Sequence, residues 1–162
     1  MKLFQTIGLA AAILGGLGTA ADAQDWSPWE RAHSVARLDD FYVIRDGGPC
    51  YVKQSYASNS SRMDLVYSSA RGLALITPFS TMPDQILYEV DPAGAVPAHT
   101  LPRSYFRHAN AIGLPPGLVD QMKQGQSLMV MAQVRGQWSH VQTFPLMGFT
   151  AAVRQLSEPP CA

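Results

Sequence analysis

Side chains alternate in character with a period of two along most of this chain. In residues 50–56, "CYVKQSY", Cys50, Val52, Gln54 and Tyr56 fall on one side and Tyr51, Lys53 and Ser55 on the other. A strand with two unlike faces requires that spacing. Residues 63–69, "MDLVYSS", set Met63, Leu65 and Tyr67 against Asp64, Val66 and Ser68. Residues 40–46, "DFYVIRD", and 85–91, "QILYEVD", are rich in aromatic and β-branched residues and read as strands. Residues 72–79, "GLALITPF", form a nearly continuous apolar run, expected to be buried on both faces. A further strand is expected over 104–108. Residues 127–134 and 138–144 form a hairpin about a tight turn centred near Gly136.

Two segments change period. Residues 114–125 place Leu118, Val119 and Met122 on one helical face, with Gly125 expected as a left-handed cap. Near the end, Phe149, Ala152, Val153 and Leu156 recur at helical spacing, and Pro159 and Pro160 stop the helix. Strands and helices do not alternate regularly, which argues against a parallel doubly wound sheet. The expected fold is mainly β: an antiparallel β-sandwich or curved sheet with two short helices packed at an edge.

The N-terminus follows a different rule. Residues 1–23 carry Lys2, then an uncharged apolar run rich in Ala and Gly, then Ala21-Asp22-Ala23. This is the three-part pattern of a cleaved signal peptide. It divides the chain into a signal peptide at 1–23, an N-terminal arm at 24–39 and one β-rich domain at 40–162. No second apolar run reaches membrane length, so no membrane span is expected after cleavage. An exported chain is periplasmic or secreted and meets an oxidising compartment. Its two cysteines, Cys50 and Cys161, are then expected to form a disulfide.

Charge and chemistry narrow the function. The chain has 12 basic and 12 acidic residues, no net charge and no basic run, so nothing attracts nucleic acid. His33, His99, His108 and His140 show no spacing that would bring two imidazoles onto one metal, and no metal site is expected. Met129 and Met131 share one face of a strand; thioethers suit copper(I), but core packing is their commoner use. No nucleophile motif, phosphate loop or cofactor signature occurs, and bridged cysteines cannot act as thiolates. Asp39-Asp40 reads as a solvated strand entrance. Asn59 opens a glycosylation tripeptide that carries no weight, since the pattern is frequent by chance.

Two segments remain as candidate binding residues. "RSYFRH", residues 103–108, gathers Arg103, Tyr105, Arg107 and His108 about Phe106. As a strand it puts Arg103, Tyr105 and Arg107 on one face, able to receive a carboxylate or an acidic surface. The bland reading is a charged edge strand that blocks unwanted pairing. Trp26 and Trp29 flank a proline in the arm. They serve either as recognition residues or, more commonly for aromatics, as cover for one edge of the core.

The stretch "LVDQMKQGQSLMVMAQVRGQWSHVQTFPLMGFTAAVRQL" resembles the end of the invasion associated locus B family of exported bacterial proteins. The shared features are a helix ending at Lys123 to Gly125, the hairpin about Gly136, and the Leu146 to Ala152 segment. The chain departs from that family in lacking a cysteine pair before the helix and a tryptophan in the first strand, so the resemblance is to a divergent member. It implies an exported β-rich domain and no catalytic residues. The resulting expectation is a non-enzymatic exported domain that binds a protein partner in the cell envelope and takes no cofactor. The alternative is a periplasmic small-ligand-binding protein using the Arg103 to His108 segment.

Overall fold

Alternation along the strands resolves into two antiparallel sheets. The computed structural model describes residues 27–58 and 61–162. The expected signal peptide at 1–23, Trp26 and Asn59 lie outside the described residues. The elements are α1 (Pro28–His33), β1 (Ser34–Leu38), β2 (Phe41–Ile44), β3 (Tyr51–Ser58), β4 (Ser61–Ser68), β5 (Gly72–Ile76), β6 (Gln85–Val90) and β7 (His99–Thr100). They continue with β8 (Phe106–His108), β9 (Ala111–Gly113), α2 (Leu118–Met122), β10 (Ser127–Val134), β11 (Gln137–Pro145) and α3 (Phe149–Gln155). One sheet has seven strands in the order β1-β2-β3-β4-β5-β9-β8, and the other has four in the order β11-β10-β6-β7.

The inner faces share one core. Phe41, Val43, Val52, Leu65, Leu75 and Ile112 from the larger sheet join Ile86, Leu128, Val130, Ala132 and Phe144 from the smaller. The fold is therefore the expected mainly β sandwich, with both expected helices and a third, α1, that the arm reading did not foresee. Gln54 is fully buried on the inner face of β3, and its amide donates to the Pro145 carbonyl at 2.9 Å, a polar link between the layers. The predicted hairpin joins β10 to β11 through Arg135 and Gly136, both at positive φ. That is the backbone a two-residue turn needs to match strand twist.

Several expectations change. β5 is buried on one face only: Leu73 and Leu75 are buried, whereas Ile76 is exposed. Apolar content misled because Ala74 and Ile76 sit on the outer face, where β-branched and small residues are also tolerated. Gly125 is not a left-handed cap. A Cβ there would lie 2.2 Å from Val90 Cγ1, so close approach to β6 is what demands glycine. Met129 and Met131 do not fill the core. They lie half-buried on the outer face of β10, opposite Leu128, Val130 and Ala132. Asp39 and Asp40 form the two-residue connection of the β1–β2 hairpin, Asp39 at φ 52°.

The segment 27–38 is part of the fold. Ser27 caps α1 in a reciprocal box: its Oγ accepts from the Glu30 amide at 3.2 Å, and its own amide donates to Glu30 Oε2 at 2.8 Å. Glu30 is thereby held over the outer face of the larger sheet. Its Oε1 receives Lys53 of β3 and Arg62 of β4. Asp64 completes the group, accepting Lys53 at 2.8 Å and Arg62 at 2.9 Å. Arg62 also donates to Ser55 Oγ at 2.9 Å. Beside this cluster, Tyr42 and Ile44 are buried on the same outer face, with Tyr51 packed on them.

The C-terminal segment closes the sandwich. α3 begins at Gly148, φ 85°, where a Cβ would stand 2.2 Å from the Leu38 carbonyl oxygen. Glycine lets the helix start against the β1–β2 hairpin. Phe149 is buried and packs on Phe41 with ring centroids 5.2 Å apart. Cys161 then bonds to Cys50, just ahead of β3, across a sequence separation of 111. Arg45 donates to the Pro160 carbonyl at 2.7 Å beside it. The tail is a clasp.

Two outcomes are expected. Cys161→Ser opens a loop whose closure is worth roughly 4–5 kcal/mol in the chain-entropy model. Thermal melts of the variant should fall by roughly 5–15 °C. A reductant should lower the wild type equally and leave the variant unmoved; an unchanged melting point would refute the clasp. Burial opposes ionisation of Glu30, but hydrogen bonds from Lys53 and Ser27 and the Lys53 charge overcome it, so its pKa lies below the ordinary 4.5. Its stabilisation is therefore present above the unfolded-state value and lost as pH falls through the lower folded-state value. Glu30→Gln should lose about 3 kcal/mol at neutral pH. In urea unfolding, the gap to wild type should close on acidification.

Candidate functional site

Chemistry on this scaffold is read from the side chains that folding leaves unoccupied. Arg103 is not one of them. It starts a single 3-10 turn (Arg103–Tyr105) rather than a strand, donates to the Pro83 carbonyl at 2.8 Å, and stacks over the Phe106 ring at 5.1 Å. The strand begins only at Phe106, because the residues before it follow Pro102 into a tight turn. The predicted shared face of Arg103, Tyr105 and Arg107 therefore does not form.

Tyr105, Arg107 and His108 do come together, at a concavity of about 840 Å³. It opens where the β4–β5 turn, the β8–β9 edge and α2 meet. The turn brings Arg71, and α2 brings Asp120 and Lys123. Tyr67, Leu73, Leu114 and Val119 supply apolar lining. The β8–β9 turn is anchored to β5's end by Thr77, whose Oγ1 donates to the Ala109 carbonyl at 2.7 Å and whose amide donates to the Asn110 carbonyl at 3.1 Å. Leu114 continues β9 by donating to the Leu73 carbonyl at 2.9 Å.

The groove carries three fixed cations, Arg71, Arg107 and Lys123, against one carboxylate, Asp120. Lys123 and Asp120 pair at 3.1 Å within the helix. The guanidinium groups of Arg71 and Arg107 have no partner among the described residues. Arg45, Arg62 and Arg154 are committed, to Pro160, to Glu30 and Asp64, and to Glu158, whereas Arg31 and Arg135 stand singly on exposed surface away from any such concavity. The sequence pointed to Arg107 and His108. It missed Arg71 and Lys123, which lie far off in the chain and reach the groove only through sheet order and the α2 turn.

A second surface is the outer face of the smaller sheet. Register places Leu87, Met131 and Val141 side by side across β6, β10 and β11, and continues to Thr100 on β7. The next row is Gln85, Gln133 and Trp138, and the row on the other side is Glu89, Met129 and Thr143. Val141 is 50 % exposed and Trp138 43 % exposed. Glu89 is the only charged side chain in these rows. No described helix packs over this face, and β11 forms its edge. A register shift between Ala132 and Gln133 turns Trp138 outward and hides it from period-two reading.

Trp29 is exposed but not free. It stacks on His33 one turn along α1, with ring centroids 4.4 Å apart, and its carbonyl contacts His33 Nδ1 at 2.8 Å. It covers its own helix more than any surface. Among the described residues no cluster of His, Cys, Asp and Glu is grouped to hold a metal, and no helix is long and apolar enough to cross a membrane. No family model matches this chain, and comparison with curated proteins and with solved structures found no significant match to either.

Proposed function

We propose that this is a non-catalytic exported domain that holds a protein partner in the cell envelope, in the periplasm or outside the cell. The observation that carries it is the open outer face of the smaller sheet. Leu87, Met131 and Val141 form an unbroken apolar row beside an exposed Trp138, and Glu89 is the only charged side chain in the three adjoining rows, with Asp84 and Arg135 confined to the hairpin-turn end. Contiguous apolar surface of this kind is typical of protein interaction sites, where Trp and Met are enriched. The disulfide fits an oxidising compartment. Kinship with the invasion associated locus B proteins is part of the proposal. It rests on Lys123 to Gly125, the hairpin about Gly136 and Leu146 to Ala152.

The test compares affinity capture from native envelope extract by the wild type and by a Met131→Glu/Val141→Glu variant. Val141 is half exposed and Met131 half-buried on the outer face, so circular dichroism and melting point are measured on the variant and should stay close to wild type. Capture of a defined protein by the wild type, reduced about tenfold or more in the variant, is expected. Equal capture by both forms, or none by the wild type, would overturn the assignment.

A further inference from the structure

We infer that the groove between the β4–β5 turn, the β8–β9 edge and α2 is a second binding site, for a small organic acid with an apolar body. The site shares no residue with the open sheet face and stands or falls separately from it. Three observations lead to this ligand class.

The first is charge. Arg71 and Arg107 enter the groove from different elements, and neither guanidinium has a partner among the described residues. The chain as a whole is neutral, so two unneutralised guanidiniums at one concavity are a local excess rather than a general basic surface. Guanidinium presents a planar fork of donors matched to an oxyanion, and two such forks from different elements can grip one carboxylate.

The second is the rest of the lining. Leu73, Leu114 and Val119 give apolar contact, and Tyr67 and Tyr105 add an aromatic body with a phenolic donor each. A bare inorganic anion would leave that surface unused. A ligand with a carboxylate at one end and a hydrocarbon or aromatic body at the other would use both. The third is size. At about 840 Å³ the concavity falls within the usual range for small-molecule sites. A polynucleotide is disfavoured because no basic track leads away from the groove.

Asp120 has a defined part in this arrangement. It holds Lys123 at 3.1 Å along α2 and so leaves the two arginines as the free cations. The acid is therefore expected at the Arg71 and Arg107 side of the groove, with its body toward Leu114 and Val119.

The experiment is isothermal titration calorimetry of the disulfide-bonded protein with octanoate, phenylpropionate and indole acetate. The alcohol corresponding to each acid and inorganic phosphate are titrated in parallel. Saturable one-to-one binding of at least one acid is expected, with alcohol and phosphate each weaker by about tenfold or more. An Arg71→Gln/Arg107→Gln variant should weaken acid binding by about tenfold or more, and Arg135→Gln, at the distant hairpin turn, should not. Melting points of the variants serve as the folding control, since the arginines it removes support no described contact. Absence of saturable binding by every acid would overturn the inference. So would an acid and its alcohol of equal affinity, phosphate binding as tightly as the acids, or binding unchanged in the double variant.

Discussion

Every strand of a two-layer sheet must place alternate side chains in two environments, and the architecture of this protein follows from how that demand is met. The inner environment is common: one apolar core between the sheets, crossed by the buried Gln54 to Pro145 link. The outer environments differ. The larger sheet has α1 set against part of its outer face, held to β3 and β4 by charge through Glu30. The smaller sheet leaves its outer face open. Both proposed binding surfaces lie where that covering stops, on the open face and in the groove at the end of the larger sheet.

The cover on the larger sheet depends on one carboxylate. Glu30 closes the capping box of α1 with one oxygen and receives Lys53 and Arg62 with the other. A six-residue helix is too short to persist on its own hydrogen bonds, so tertiary anchoring decides whether it forms. Two cations and two carboxylates balance there, and Ser27 and Ser55 satisfy further lone pairs and protons. Burying charge is tolerable only with such completeness, and it fixes where the helix sits more than it adds net stability. At the other end of the chain a covalent bond does the comparable task, holding α3 and the tail against β1 and β2.

What could be read from the sequence follows the range of the physics involved. Period-two patterns at 50–56 and 63–69, the hairpin about Gly136 and the faces of α2 and α3 are local, and each came out in place. The disulfide was legible because compartment and a count of two leave few options. Glu30 was not, since its partners lie 23 and 32 residues away and a glutamate three residues after a serine is common. The same limit applied to the groove. Arg107 and His108 stood out as a local cluster, while Arg71 joined them only because β9 pairs with β5. Arg103 looked equivalent to Arg107 but is consumed by the Pro83 carbonyl. Met129 and Met131 read as core because packing is the commoner use of methionine, but which face of β10 meets the core depends on β6 and β11 together.

An open apolar face next to an edge strand is a hazard that most folds suppress. The usual devices are edge charges, prolines, bulges or a covering element. β11 has a register shift near its start and Pro145 at its end, yet no charged residue between them, and Val141 and Trp138 stand outward beside it. The larger sheet shows that this chain can cover a face when its own helix is placed to do so. The corresponding face of the smaller sheet has no such cover among the described residues. Other exposed apolar side chains, such as Val35, Ile76, Val96 and Met147, are scattered, whereas here they adjoin in sheet register, the pattern expected when a surface is occupied in use. The arginines obey the same logic. Arg45, Arg62, Arg103 and Arg154 each meet an acceptor within the fold, whereas Arg71 and Arg107 converge on a concavity and meet none there. Arg31 and Arg135 are also without an acceptor among the described residues, but each stands alone, and only in the groove do two unpaired guanidiniums line one concavity that an anion could enter.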